Sequence, residues 1–151
     1  MKRLQIAFPQ KDFFIKIFAG DVYVVGGAVR DRILYPKRTV DRDVDLLVTG
    51  RSYEEIAARL ARHGKCDTVG RSFAVVKFTR RGRTFDIAVP RRDRKKEGHG
   101  HKDFEVQSGP GVTLEEDLGR RDFTCNSIAV RLSDGAVVDP HGGLEAIARL
   151  R

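Results

Sequence analysis

Three aspartates at alternate positions, Asp41, Asp43 and Asp45, run into the apolar residues Leu46, Leu47 and Val48. In an extended segment alternate residues share a face. Asp43 and Asp45 therefore project together, and Asp41 joins them if the strand starts early. Like charges on one face repel unless a cation lies between them. A hard divalent ion such as Mg²⁺ takes carboxylate oxygens of this kind together with substrate phosphates. An exposed acidic turn paired with Arg38 and Arg42 is the other reading of the same spacing. Asp86 sits in a second strand-like run, RTFDIAV, where Phe85, Ile87 and Val89 share one face and Asp86 turns to the other with Thr84 and Ala88. If the two strands are neighbours, three carboxylates meet.

Upstream, the β-branched and aromatic run Val22-Tyr23-Val24-Val25 ends in Gly26-Gly27 and passes at once into the helical run AVRDRIL. Such a turn brings backbone N–H groups and a helix N-terminus to one point, which suits a phosphate. Arg30 lies one helical turn further on and has the fork geometry to grip the same group. A tight strand-to-helix turn that needs glycine for positive φ explains the pair equally well. Taken together, three carboxylates from two strands and a phosphate-cradling turn make a constellation for two-metal phosphoryl transfer.

The elements that must position these groups can be read from periodicity. Residues 10–19 form a short amphipathic helix with Phe13, Phe14, Ile17 and Phe18 on its apolar side. Strands are expected at 22–25, 44–48, 66–69, 73–79 and 83–89, the last two joined by a hairpin turn at Arg80-Arg81-Gly82. Ser52 is placed to cap a helix over 53–63. A short helix covers 113–119, a short strand Val137-Val138, and a terminal helix 142–150. Residues 125–132 mix helical and strand character, and 91–102, RRDRKKEGHGHK, read as a mobile basic loop. The sum is an α/β (α+β) domain: a sheet of about five strands with flanking helices.

Composition bounds the function classes. With 151 residues and 40% apolar side chains, the chain suits one domain with a packed core. Its formal charge of +8 favours polyanionic partners such as nucleic acid or nucleotides. Cys66 and Cys125 form no C-x-x-C pair, so neither a zinc site nor a disulfide framework is indicated. The N-terminus is charged too often for a signal peptide, and no apolar run reaches the ~18 residues of a membrane span. A soluble, cytoplasmic protein is expected. His99 and His101 could form a metal clip, but a lone H-G-H in a polar loop is more often nothing, and His63 and His141 look structural or exposed. Aromatic residues are few and fall in core patterns, so no stacking platform for single strands is expected.

Three motifs in order then resemble a known family. They are 26-GGAVRD-31 after a strand, 43-DVD-45 before an apolar strand, and 113-TLEEDLGRRDFTCNSIAV-130, an arginine-rich segment; the ending DPHGGLEAIARLR is also similar. Over residues 20–151 the chain resembles the head domain of class II transfer-RNA nucleotidyltransferases (CCA-adding enzymes) and bacterial poly(A) polymerases. That resemblance implies a nucleotidyltransferase fold and transfer of nucleotides, C and/or A, from NTP to an RNA 3′ end. It implies Mg²⁺ ions on Asp43, Asp45 and Asp86 as the catalytic acids. It implies nucleotide binding by Gly26, Gly27, Arg30, Arg121, Asp122 and Asn126. Residues 1–151 are read as one such head, with an N-terminal helical segment over 1–20. The family's neck and body, which select the base and hold most of the RNA, would lie outside this chain or be replaced by a partner chain. Two other functions fit the same residues: a basic RNA- or partner-binding module without turnover, and a minimal nucleotidyltransferase acting on a non-RNA acceptor.

Overall fold

The computed structural model describes residues 3–38, 44–95, 104–121 and 123–149. Asp41, Arg42, Asp43, His99, His101 and Asp122 lie outside the described residues. The elements follow in chain order: α1 (Lys11–Phe18), β1 (Val22–Val25), α2 (Gly27–Leu34), β2 (Asp45–Val48), α3 (Tyr53–Ala61), β3 (Lys65–Asp67), β4 (Val75–Arg80), β5 (Arg83–Ala88), β6 (Arg91–Lys95), β7 (Phe104–Ser108), α4 (Leu114–Gly119), β8 (Ala129–Arg131), β9 (Val137–Val138) and α5 (Gly143–Ala148).

Seven strands form one mixed sheet in the order β3-β4-β5-β2-β1-β8-β9. Strand β9 is the expected short strand Val137-Val138, and β8 settles part of the mixed stretch 125–132 as strand; both add to the edge beyond β1. The pair β2–β5 is parallel; the other pairings in the sheet are antiparallel. Strand β1 is buried at all four positions because it is central and covered on both faces.

The two faces differ. One carries the main core, built on Val22, Val24, Leu46, Val48, Val76, Phe78 and Ile87 and roofed by α1, α2, α3 and α5 through Phe14, Phe18, Val29, Ile33, Ile56, Leu60 and Ile147. Phe14 packs edge-on to Phe85 with ring centroids 4.8 Å apart, an arrangement that aromatic quadrupoles favour. The other face has a smaller cluster, Tyr23, Val25, Leu47 and Ala129 under Leu114 and Leu118 of α4. Because α4 covers only the β1 side, the β5–β4 side of this face is left open.

Local chemistry explains the boundaries. Ser52 Oγ accepts from the Glu55 amide at the start of α3. Thr113 and Glu116 form a reciprocal capping box on α4. The β4–β5 hairpin turns through Arg81 (φ 51°) and Gly82 (φ 75°), the left-handed pair of a two-residue hairpin loop. Cys66 and Cys125 are free thiols, both half-buried. No helix among the described residues is long and apolar enough to cross a membrane.

The expected loop over 91–102 is corrected for its first five residues; 96–102 lie outside the described residues. Those first five are strand β6, paired antiparallel with β7 from Arg91–Ser108 to Lys95–Phe104. Ladder hydrogen bonds come from the backbone, so a strand with no apolar face forms where a partner strand lies beside it. Arg92 also holds it in place through Gln107 and Glu116.

Candidate active site

Register places the acids. In the parallel pair β2–β5, Asp45 stands opposite Asp86. Neighbouring strands lie about 4.8 Å apart and laterally paired residues point to one face. The row continues in both directions: Val25 of β1 is opposite Asp45, and Lys77 of β4 is opposite Asp86. This row lies on the open face. Asp45 is exposed and Asp86 half-exposed.

Lys77 was not anticipated. Its ammonium donates to Asp86 Oδ1 at 3.1 Å, and that bond with the carboxylate's charge holds the lysine above its ordinary pKa. Hairpin counting from Arg80–Arg83 would have found it. The positive charge occupies the flank of the carboxylates that faces away from β1.

On the other flank sits the glycine turn. Gly26 has φ 75° and ψ −137°, a conformation reserved in practice for glycine. Its carbonyl accepts from Val29 and Arg30 at 3.1 and 3.2 Å. By helix geometry the amides before Val29 have no intrahelical acceptor, and they gather at the N-terminus of α2. Two arginines flank this point. A β-carbon on Gly26 would lie 3.7 Å from Arg121 Nη1, and one on Gly27 would lie 3.4 Å from Arg30 Nη2. Arg30 is oriented by its neighbours: Nη1 donates to Asn126 Oδ1 at 3.1 Å and Nε to Asp31 at 3.1 Å. Gly26, Gly27, Arg30, Arg121 and Asn126 are thus one cluster.

Asp117 is the second residue that sequence reasoning passed over. It is 3% exposed and accepts from the Arg91 amide at 2.9 Å and from Arg121 Nη2 at 3.1 Å. Arg120 Nε lies 3.8 Å away. One buried carboxylate therefore fixes both arginines of the RRD segment and the first residue of β6. Its spacing of three and four residues from the arginines was the available signal.

Asp45, Asp86, Asp117 and Arg121 line one cleft of about 360 Å³, together with Val25, Phe73 and Arg91; Gly26, Gly27, Arg30, Asn126 and Lys77 are not among its lining residues. Among the described residues no three His, Cys, Asp or Glu side chains form a metal cluster; they supply two of the three expected acids, Asp45 and Asp86. Two register-paired carboxylates with only oxygen donors fit a hard divalent cation.

The comparisons with known proteins show the family and the fold. Residues 22–151 match the model of the poly A polymerase head domain. The chain belongs to that family. It is 41% identical over 126 residues to the Multifunctional CCA protein of Stenotrophomonas maltophilia strain K279a, covering 83% of this chain and 28% of the relative. It is 43% identical over 122 residues to the Multifunctional CCA protein of Aromatoleum aromaticum, covering 81% and 27%. Among solved structures, it is similar to the Bacillus stearothermophilus CCA-adding enzyme in complex with CTP, at 30% identity and a TM-score of 0.69 over 95% of this chain and 33% of the other. It is also similar to a tRNA nucleotidyltransferase complexed with a primer tRNA and an incoming ATP analog, at 28% identity and a TM-score of 0.61 over 91% of this chain and 36% of the other. The chain spans between a quarter and a third of the length of the curated relatives it matches.

Proposed function

We propose that this chain is the catalytic head of a Mg²⁺-dependent nucleotidyltransferase that transfers nucleoside monophosphates from NTP to the 3′ end of transfer RNA. The observation that carries this is the register pair Asp45–Asp86, flanked by the Gly26-Gly27 turn and Arg121. The CCA-adding names of the relatives, and the CTP and primer tRNA in the titles of the similar structures, support the choice of substrates.

The RNA 3′-oxygen attacks the α-phosphorus, a new P–O bond forms, the bridging bond to the β-phosphate breaks, and pyrophosphate leaves. The amides at the start of α2, with Arg30 and Arg121, hold the β and γ phosphates and meet the charge that builds on the leaving group. Asp43, Asp45 and Asp86 would hold Mg²⁺, which when bound lowers the pKa of the attacking hydroxyl and neutralises phosphate charge. Asn126 holds Arg30 through a hydrogen bond, and Asp122 and Asn126 would brace the site or contact the sugar. The test is incorporation of labelled CTP or ATP into transfer RNA lacking its 3′ end, by the wild type and by Asp45→Asn. Incorporation that survives in Asp45→Asn removes the mechanism and leaves a binding module.

A further inference from the structure

We propose that Phe73 is the stacking platform for the 3′-terminal base of the acceptor strand. The inference rests on the nucleotidyl-transfer reading above and adds the side from which the acceptor enters. Phe73 is 66% exposed, yet it lines the same cleft as Asp45 and Asp86. An aromatic ring left in water at the rim of a charged cleft is available to a ligand with a π-face. Phe8, Phe14, Phe18, Phe78 and Phe85 are buried, and Phe123, equally exposed at 66%, does not line this cleft.

The ring is presented by a built turn. Phe73 closes a 3-10 turn, Arg71–Phe73, and is followed by Ala74 at φ 56°. The Val75 amide bonds back to the Gly70 carbonyl at 3.1 Å, and the Val89 amide bonds to the Ala74 carbonyl at 2.9 Å. Tyr53 donates its hydroxyl to the Val75 carbonyl at 3.2 Å, and Arg71 pairs with Glu54 of α3. These bonds tie the turn to α3 and to the end of β5.

Position then selects the ligand. Across the sheet the order is glycine turn at the end of β1, Asp45 on β2, Asp86 on β5, and Phe73 just before β4. Attacking and leaving oxygens lie in line in phosphoryl transfer. With the leaving pyrophosphate held at Gly26-Gly27 and Arg121, the acceptor must approach from the β5–β4 side. Three interstrand steps of about 4.8 Å put that side roughly 14 Å from the β1 end, room for the reacting phosphate and a terminal nucleoside. Stacking on a ring reads no base edge, so the same platform serves successive acceptor ends of different base.

The test uses a single-stranded RNA oligonucleotide whose 3′-terminal base is 2-aminopurine, mixed with the 151-residue chain. The wild type should quench the base on binding. Phe73→Ala should lose the quench and bind the oligonucleotide about tenfold more weakly, whereas Phe73→Tyr should restore both, and Mg²⁺–NTP affinity by calorimetry should be the same in all three. Equal quenching and affinity in Phe73→Ala overturns the proposal. A loss of NTP affinity that matches the loss of RNA affinity also overturns it, by assigning the ring to the incoming nucleotide. If Phe73→Ala loses the quench but the wild type incorporates no labelled nucleotide, the transfer reading falls, and the assignment of the ring to an acceptor end is overturned with it.

Discussion

Asp45 and Asp86 are register partners on the parallel strands β2 and β5. The pairing puts two carboxylates side by side on the open face, where the backbone forbids them to separate. Their repulsion is the electrostatic work that a bound cation recovers. Asp45→Asn should therefore lower nucleotide incorporation by at least about two orders of magnitude. The melting temperature should hold or rise, because Asp45 is exposed and the change relieves like-charge repulsion. Circular dichroism melts alongside the incorporation assay check both halves.

Lys77 supplies a compensating charge to Asp86 through a 3.1 Å bond. An ammonium at that distance repels a divalent ion bound to the same carboxylate. Lys77→Met should tighten Mg²⁺ binding severalfold, seen as a lower Mg²⁺ midpoint for NTP binding in calorimetry. An unchanged midpoint would mean that Lys77 swings clear of the site.

The turn at Gly26-Gly27 works only if nothing fills the space before the arginines. Gly27→Val places a branched side chain where a β-carbon would already lie 3.4 Å from Arg30 Nη2. Arg30→Ala removes that guanidinium and frees Asn126 from it. Mg²⁺-dependent NTP binding should fall at least about tenfold in each, with Gly27→Val the more severe because it also crowds the amides. Titration calorimetry reads both values directly.

Legibility divides along local and non-local lines. The helix caps at Ser52 and Thr113 and the hairpin at Arg81-Gly82 depend on neighbours in the chain, and they were readable. Lys77 opposite Asp86 was readable too, since counting back three pairs from Arg80–Arg83 lands on it. The parallel pairing of β2 with β5 was not, because no turn links those strands and their register is set by the core beneath. Strand β6 was missed because its charges hide the backbone's capacity to pair. Phe73 was missed because its exposure follows from a turn held by Tyr53, Gly70 and Val89, residues distant from one another in pattern.

Asp117 is the buried link between α4, the RRD arginines and β6. Removing one partner of a buried pair leaves the others desolvated and unmatched. Asp117→Ala should cost about 2–4 kcal/mol of stability. NTP affinity should drop as well, since Arg121 loses the bond that orients it. Urea unfolding with NTP titration below the transition separates the two effects.

Glu116 joins the basic hairpin to α4 by accepting from Arg92 Nη1 at 2.9 Å. That bond first, and the Thr113 amide next, hold the Glu116 carboxyl below its ordinary value of 4.5. A depressed acid stabilises the folded state above its unfolded pKa and loses that contribution as pH falls through the folded one. The hairpin should thus stay docked at neutral pH and loosen as pH drops below about 4.5. Amide exchange in β6 and β7 at pH 7 and pH 3.5, corrected for intrinsic rates, reads the change. Glu116→Gln keeps the capping-box acceptor but lacks the charge, so its hairpin should exchange faster at pH 7 and show a smaller further rise on acidification. A Gln variant with the wild-type pH response would place the acid sensitivity elsewhere in the chain.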